Sequence, residues 1–209
     1  MYQDVTAALR AAYDQAAGYR DIREIPPWKV GLRQEFLELL RSKGKTNLLE
    51  VGAGPGRDSL FFQQNRLNVV STDLSPEMVR LCREKGLEAY EMDFLNLDFP
   101  DDGFDAVYAM SALLHVPKAN LADVLLEIRR VLAPGGLFFY GVYGGIERDE
   151  PWEDDDYVPQ RHFTFYLDHQ IIEITGRYFF LRDFKALNLP EEDQSDIHYQ
   201  RLILQKEAG

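Results

Sequence analysis

The chain holds a single cysteine, Cys82, among 209 residues, so no disulfide can form within it. Histidine is nearly as scarce: four imidazoles are scattered along the sequence without the short spacings that gather a metal, and no metal site is expected. Basic residues are outnumbered, 23 against 35 acidic ones, and the formal net charge of -12 sets most of the surface to repel a phosphate backbone. No nucleic acid is therefore expected as a partner. Apolar runs of about 18 residues, long enough to span a bilayer, are missing. The opening MYQDVTAALRAAYDQ has neither the basic nor the apolar part of a secretion signal. The expectation is a cytoplasmic chain with no membrane partner, and composition leaves its oligomeric state open.

Apolar residues are plentiful: 45% hydrophobic and 12% aromatic content suffices for one packed core. A single domain over 1–209 is expected, with a helical cap over 1–44 and an α/β core over 45–209. Within the cap, Val5, Leu9, Ala12, Tyr13 and Ala16 fall at helical spacing. Pro26 and Pro27 open a second helix that carries Leu32, Phe36, Leu39 and Leu40. Beyond Gly44, short apolar runs alternate with amphipathic segments, the pattern of βαβ units around a parallel sheet. Strands are predicted at 47–51, 68–72, 87–92, 104–109, 136–142, 178–187 and 199–205. Helices are predicted near 57–65, 76–85, 118–132 and 168–175, with Ser75 and Asp168 as caps. The acidic run 149–157 reads as a loop.

The first predicted strand runs into Gly52-Ala53-Gly54-Pro55-Gly56-Arg57. Such a turn lets the backbone bend sharply and lets a ligand lie against it at a helix N-terminus. Packing alone also accounts for glycine-rich turns. Asp73, at the end of the second strand, stands where an acidic residue meets a ribose in doubly wound nucleoside-binding folds. A nicotinamide dinucleotide is disfavoured, because the GxGxxG fingerprint needs glycine where this chain has Arg57.

Five segments occur in one order: LLEVGAGPGRDS at 48–59, VVSTDLSPEMV at 69–79, MDF at 92–94, FDAVYAMSALLHV at 104–116 and EIRRVLAPGGLFFYGVY at 127–143. Together they resemble a class I S-adenosylmethionine-dependent methyltransferase of the small-molecule type. The resemblance implies a Rossmann-like, doubly wound seven-stranded sheet of order 3-2-1-4-5-7-6, mostly parallel with an antiparallel C-terminal strand, plus N-terminal helices. It implies S-adenosyl-L-methionine as cofactor. Glu50, Gly52, Ala53, Gly54 and Gly56 would face the methionine part, and Asp73 the ribose. Leu74, Asp93 and Phe94 would surround the adenine, while Met110 and Ser111 would border the sulfonium. The segment around Tyr13 resembles the helix that closes over the cofactor in small-molecule members.

Ligands of such sheets sit beyond the C-terminal ends of the strands. That position selects Tyr19, Trp28, Tyr143, Arg161 and Tyr166 for the acceptor. His115, after the fourth strand, is the titratable candidate for taking a proton from the acceptor or orienting it, or else a structural histidine. The expected reaction is in-line methyl transfer to a small molecule. A chain of this fold that binds without transferring is the alternative, and an NAD-dependent oxidoreductase the weaker one.

Overall fold

Alternation along the central strands divides the interior into two layers. On the fourth and fifth strands, Val107 and Phe138 join one apolar cluster, while their neighbours Tyr108 and Phe139 join the other. Strands buried on both faces require helices on both sides, the arrangement of a doubly wound sheet. The computed structural model describes residues 2–189 and 196–209. The predicted connection through Pro190, Glu191, Glu192 and Asp193 lies mostly outside them.

Two helices come first, α1 (Tyr2–Ile22) and α2 (Pro27–Ser42), and the alternating part follows. It comprises β1 (Asn47–Val51), α3 (Arg57–Gln64), β2 (Asn68–Asp73), α4 (Pro76–Glu84), β3 (Glu88–Glu91), β4 (Phe104–Met110), α5 (Leu121–Val131) and β5 (Leu132–Gly144). A hairpin of β6 (Arg148–Pro151) and β7 (His162–Phe165), then α6 (Asp168–Gly176), β8 (Phe180–Leu187) and β9 (His198–Gln205), complete the described order. The main sheet runs β3-β2-β1-β4-β5-β9-β8. Its first five strands are parallel, and β9 runs antiparallel to both β5 and β8. This is the expected order once the separate β6–β7 pair is set aside.

Local chemistry explains the helix starts. Pro27 occupies the first turn of α2, and Ser75 Oγ accepts from Met78 N at 3.2 Å to cap α4. Asp168, by contrast, does not cap α6. Its Oδ1 accepts from His198 Nε2 and Gln200 Nε2, both at 2.7 Å, because β9 passes beside it, and Leu167 holds the cap position. The predicted helix at 118 begins later, after a 3-10 turn at Lys118–Asn120.

The run 149–157 is not simply a loop. Asp149 and Glu150 pair with Thr164 and Phe163 in the hairpin. Asp149 Oδ1 accepts from Lys118 N, Thr164 Oγ and His162 Nε2, so its exposed carboxylate is fixed by three donors at the surface.

Helix α1 lies over α4. Ala17 packs with Met78 and Leu81, and Lys85 pairs with Asp21 at 2.6 Å. That places α1 across the mouth of the strand ends. Among the described residues, no helix is long and apolar enough to cross a membrane.

Candidate active site

The tips of β2, β1 and β4 stand side by side, and each contributes to one recess of about 110 Å³ beneath α1 and α2. From β1 and its turn come Glu50, Gly52, Ala53 and Gly54; from β2 come Asp73 and Leu74; from β4 come Met110 and Ser111. Phe94, Tyr13 and His115 also reach it. Most of the residues selected from sequence thus meet in one place.

Asp73 is fixed by the turn it faces. Its Oδ2 accepts from Gly54 N at 2.8 Å and its Oδ1 from Ser75 N at 2.9 Å. Burial raises its pKa, against the opposing effect of those two N–H groups. A carboxylate has about four acceptor positions, so two remain for vicinal hydroxyls. Glu50 is only 4% exposed, and Ser59 Oγ donates to its Oε2, with Ser71 Oγ donating in turn to Ser59 at 2.7 Å. Burial first, then the charge of Asp58, pushes Glu50 well above the usual carboxylate range.

Two glycines of the turn have different work. A Cβ on Gly54 would meet nothing within 4 Å, so its missing side chain leaves free space against the recess. A Cβ on Gly56 would lie 2.6 Å from Leu87 Cδ1 and 2.7 Å from Cys82 Sγ. Gly56 therefore sits at the packing between the turn, α4 and β3, and does not line the recess as expected. With φ at +79° as well, Gly56→Ala is expected to cost roughly 2–5 kcal/mol of stability, combining left-handed backbone strain and overpacking. Denaturant unfolding measures it, and a loss below about 1 kcal/mol would show that Leu87 and Cys82 yield.

Asp93 borders an adjoining recess. Its Oδ1 accepts from Tyr2 Oη at 2.7 Å and Leu95 N at 2.8 Å, so the first turn of α1 is latched to it. Ser111 adopts φ of +56°, sparsely populated for a residue with a Cβ. Its N–H donates to Gly141 O at 2.7 Å, and its Oγ receives Lys29 Nζ at 3.1 Å and lies 3.2 Å from Tyr199 Oη.

His115 is 6% exposed and has both ring nitrogens engaged. Nδ1 lies 2.7 Å from His162 O, which can only accept, so Nδ1 carries the proton. Nε2 then accepts from Tyr13 Oη at 2.6 Å, and Tyr13 accepts from Arg161 at 3.1 Å. Burial lowers the imidazole to about 3. The ring is neutral and linked to α1, an arrangement that single-residue reading could not foresee.

Beyond Tyr13 opens a second cavity, of about 990 Å³, walled by α1 and the β6–β7 hairpin. Tyr19, Tyr143 and Arg161 line it as expected, joined by Trp152, Tyr157 and Phe163. Arg161 stands 3.6 Å from the Tyr157 ring centre and binds Asp155 through two nitrogens, at 2.6 and 3.0 Å. Trp28 and Tyr166 do not line either cavity. Trp28 packs on Tyr199 with ring centres 4.6 Å apart, because α2 turns that face to the sheet. Tyr166, 5% exposed, belongs to the core beside α5 and α6. Several recess residues escaped sequence reading, four of them charged: Arg20, Lys29, Arg57 and Asp58, the last paired with Arg33 at 2.8 Å. Lys29 adjoins Trp28 in the helix, so the region was selected but the wrong face of the turn.

A family model described as a methyltransferase domain matches residues 49–140, from β1 through most of β5. That match and the fold are consistent with a class I S-adenosylmethionine-dependent methyltransferase. Among solved structures, this methyltransferase fold is similar to the Burkholderia thailandensis 1,6-didemethyltoxoflavin-N1-methyltransferase, solved with 1,6-didemethyltoxoflavin and S-adenosylhomocysteine. The TM-score is 0.75 at 20% identity, covering 99% of this chain and 91% of that one. The N-methyltransferase NodS of Bradyrhizobium japonicum WM9, in complex with S-adenosylhomocysteine, gives 0.67 at 14% identity, over 93% and 98% of the two chains. By sequence, a sterol 24-C-methyltransferase of Gibberella zeae is 45% identical over 75 residues, 36% of this chain and 18% of its own length. The human protein named Probable tRNA methyltransferase 9B is 29% identical over 146 residues, 69% of this chain and 31% of its own length. The chain spans less than a third of the length of these curated relatives.

Proposed function

We propose that the protein transfers a methyl group from S-adenosylmethionine to a small, flat acceptor held in the aromatic-walled cavity between α1 and the β6–β7 hairpin. The observation that carries this reading is the adjacency of two spaces. One is the recess where Asp73 and the open side of Gly54 suit an adenosyl group; the other is the larger cavity lined by Trp152, Tyr157, Phe163 and Tyr143. Aromatic faces suit a planar ligand. A chain of net charge -12 is a poor match for a nucleic acid, although one relative is named for tRNA.

Bound S-adenosylmethionine brings its own electrophilic methyl, so the protein's work is alignment. Asp73 receives the ribose hydroxyls, Leu74 and Phe94 flank the base, and Met110 and Ser111 border the transfer centre. Tyr13, held by His115 and Arg161, stands on the boundary between the two spaces and orients the acceptor. Transfer of the labelled methyl to a panel of planar nitrogen and oxygen acceptors, with bulk tRNA included, tests the reading. Labelling of tRNA alone would overturn the small-molecule part.

His115 is assigned a positioning role and not that of a general base. An imidazole held near 3 stays neutral through the physiological range, so the rate profile should show no limb near pH 6.5 from this residue. Because its folded pKa lies below the unfolded value of about 6.5, the unfolded chain binds more protons between pH 6.5 and 3. The stability it contributes is full above that window and is lost as pH falls through it. His115→Gln should therefore melt with a weaker acid dependence than the parent, and an identical dependence would refute the assignment.

A further inference from the structure

Folded chains leave single apolar side chains in water as a matter of course, so information lies in several of them at one place. Among the described residues, the three most exposed large apolar side chains are Ile22 at 81%, Val158 at 73% and Tyr19 at 61%. Tyr19 and Val158 both line the larger cavity, one from α1 and the other from the loop between β6 and β7, and their exposure puts them at its opening. Ile22 follows Tyr19 by three positions in α1, so the two are neighbours on the helix surface. None of the three belongs to an interior apolar cluster, and core packing does not account for them.

This wet rim continues an apolar wall that starts inside. Trp152, Phe163 and Phe165 line the cavity and pack ring against ring, with centres 5.7 to 6.0 Å apart. An α-helix rises 1.5 Å per residue, so Tyr19 lies about 9 Å and Ile22 about 14 Å along α1 from Tyr13, which stands at the inner boundary. At about 990 Å³ the cavity is at the upper end of the roughly 300–1,000 Å³ that small-molecule sites occupy. A planar head against Tyr13 and Tyr157 therefore leaves the outer part to another portion of the ligand. Charge narrows what that portion is. Arg161 and Asp155 hold one another, which leaves Asp154 and Asp156 against Arg23 in the lining, and that surplus of acid disfavours an anion.

We infer that the acceptor is an amphiphile, with a planar head that reaches Tyr13 and an uncharged aliphatic chain that leaves the cavity over Tyr19, Ile22 and Val158. This rests on the planar-acceptor reading above. Such a chain takes three apolar side chains out of water at once and joins α1 to the hairpin loop across the opening, a gain that a head alone does not bring. The contacts lie far from the transferring methyl and are the same before and during transfer, so they act on affinity and set which acceptors are selected.

Calorimetric titration of the S-adenosylhomocysteine-saturated protein with naphthols that carry an ethyl, butyl or octyl chain on the ring remote from the hydroxyl tests the inference. A fully covered methylene raises affinity about fourfold, and one left half wet about twofold, so the octyl compound should bind at least about tenfold more tightly than the butyl one. The double variant Ile22→Ser, Val158→Ser should bring that ratio down to about threefold or less, whereas Ile22→Leu, Val158→Leu should keep it. Equal affinities of the three naphthols for the parent would overturn the inference and leave the planar-acceptor reading standing, and this arm depends on no variant. Binding of none of them would overturn both. A ratio unchanged in the folded serine variant would place the chain elsewhere and overturn the rim assignment. An octyl chain ending in an amine that binds more tightly than the plain one would give the rim to Asp154 and Asp156, and would overturn the uncharged class.

Discussion

Gly54→Val should give a folded protein that does not bind S-adenosylhomocysteine measurably. The reasoning depends on what surrounds that one position. A Cβ there meets no protein atom within 4 Å, so the substituted chain has no steric reason to unfold. The backbone at φ of +56° strains a branched residue, at a cost of about 1–2 kcal/mol, which a domain of this size tolerates. On the proposed reading, that free space is where the adenosyl ligand approaches the turn, and valine fills it with three carbons. Interiors do not yield by such amounts without repacking. Calorimetry for binding and thermal melting for folding separate the two effects. Full affinity in a folded Gly54→Val protein would remove the glycine turn from the site.

Asp73→Ala carries the second large effect. The carboxylate spans the site, with Gly54 N on one oxygen and Ser75 N on the other. On the proposed reading, replacement removes the acceptor for the ribose hydroxyls, and it releases the turn at the same time. Hydrogen bonds to charged groups contribute about 1.5–3 kcal/mol, so affinity for S-adenosylhomocysteine should fall roughly tenfold to a hundredfold or more. The melting temperature should fall too, since two backbone donors lose their partner. Asp73→Asn keeps one acceptor oxygen and should fall between the parent and alanine in both measurements. A folded alanine variant with unchanged affinity would place the ribose elsewhere.

The two variants also distinguish shape from charge. Gly54 acts by absence of volume and Asp73 by presence of a charged acceptor.

Much of this molecule was legible in the residues alone. Strands buried on both faces are nearly uninterrupted apolar runs, and β1 with LLEV, β4 with FDAVYAM and β5 with LFFYGV are of that kind. Their positions, and the glycine turn and Asp73 attached to them, follow from local chemistry that does not depend on distant partners. Sequence could likewise place Ser75 as a cap and Pro27 at a helix start, because both act on their own neighbours.

Tertiary structure decided what depends on a partner far along the chain. Nothing in the spacing of Tyr13 and His115 shows that they share a hydrogen bond, since 102 positions separate them. Nor does the acidic run at 149–157 show that Asp149 meets donors from Lys118, His162 and Thr164. Trp28 and Lys29 are adjacent letters, but a helix rotates them about 100° apart, and only the docking of α2 determines that one faces Tyr199 and the other Ser111. Gly54 and Gly56 look equivalent in the motif, yet one borders open space and the other touches Leu87 and Cys82. Sequence determined the strands, the turn and the acid beside it, because backbone preference and burial pattern are local. Which side chains converge on the recess was set by how the helical cap packs across the sheet.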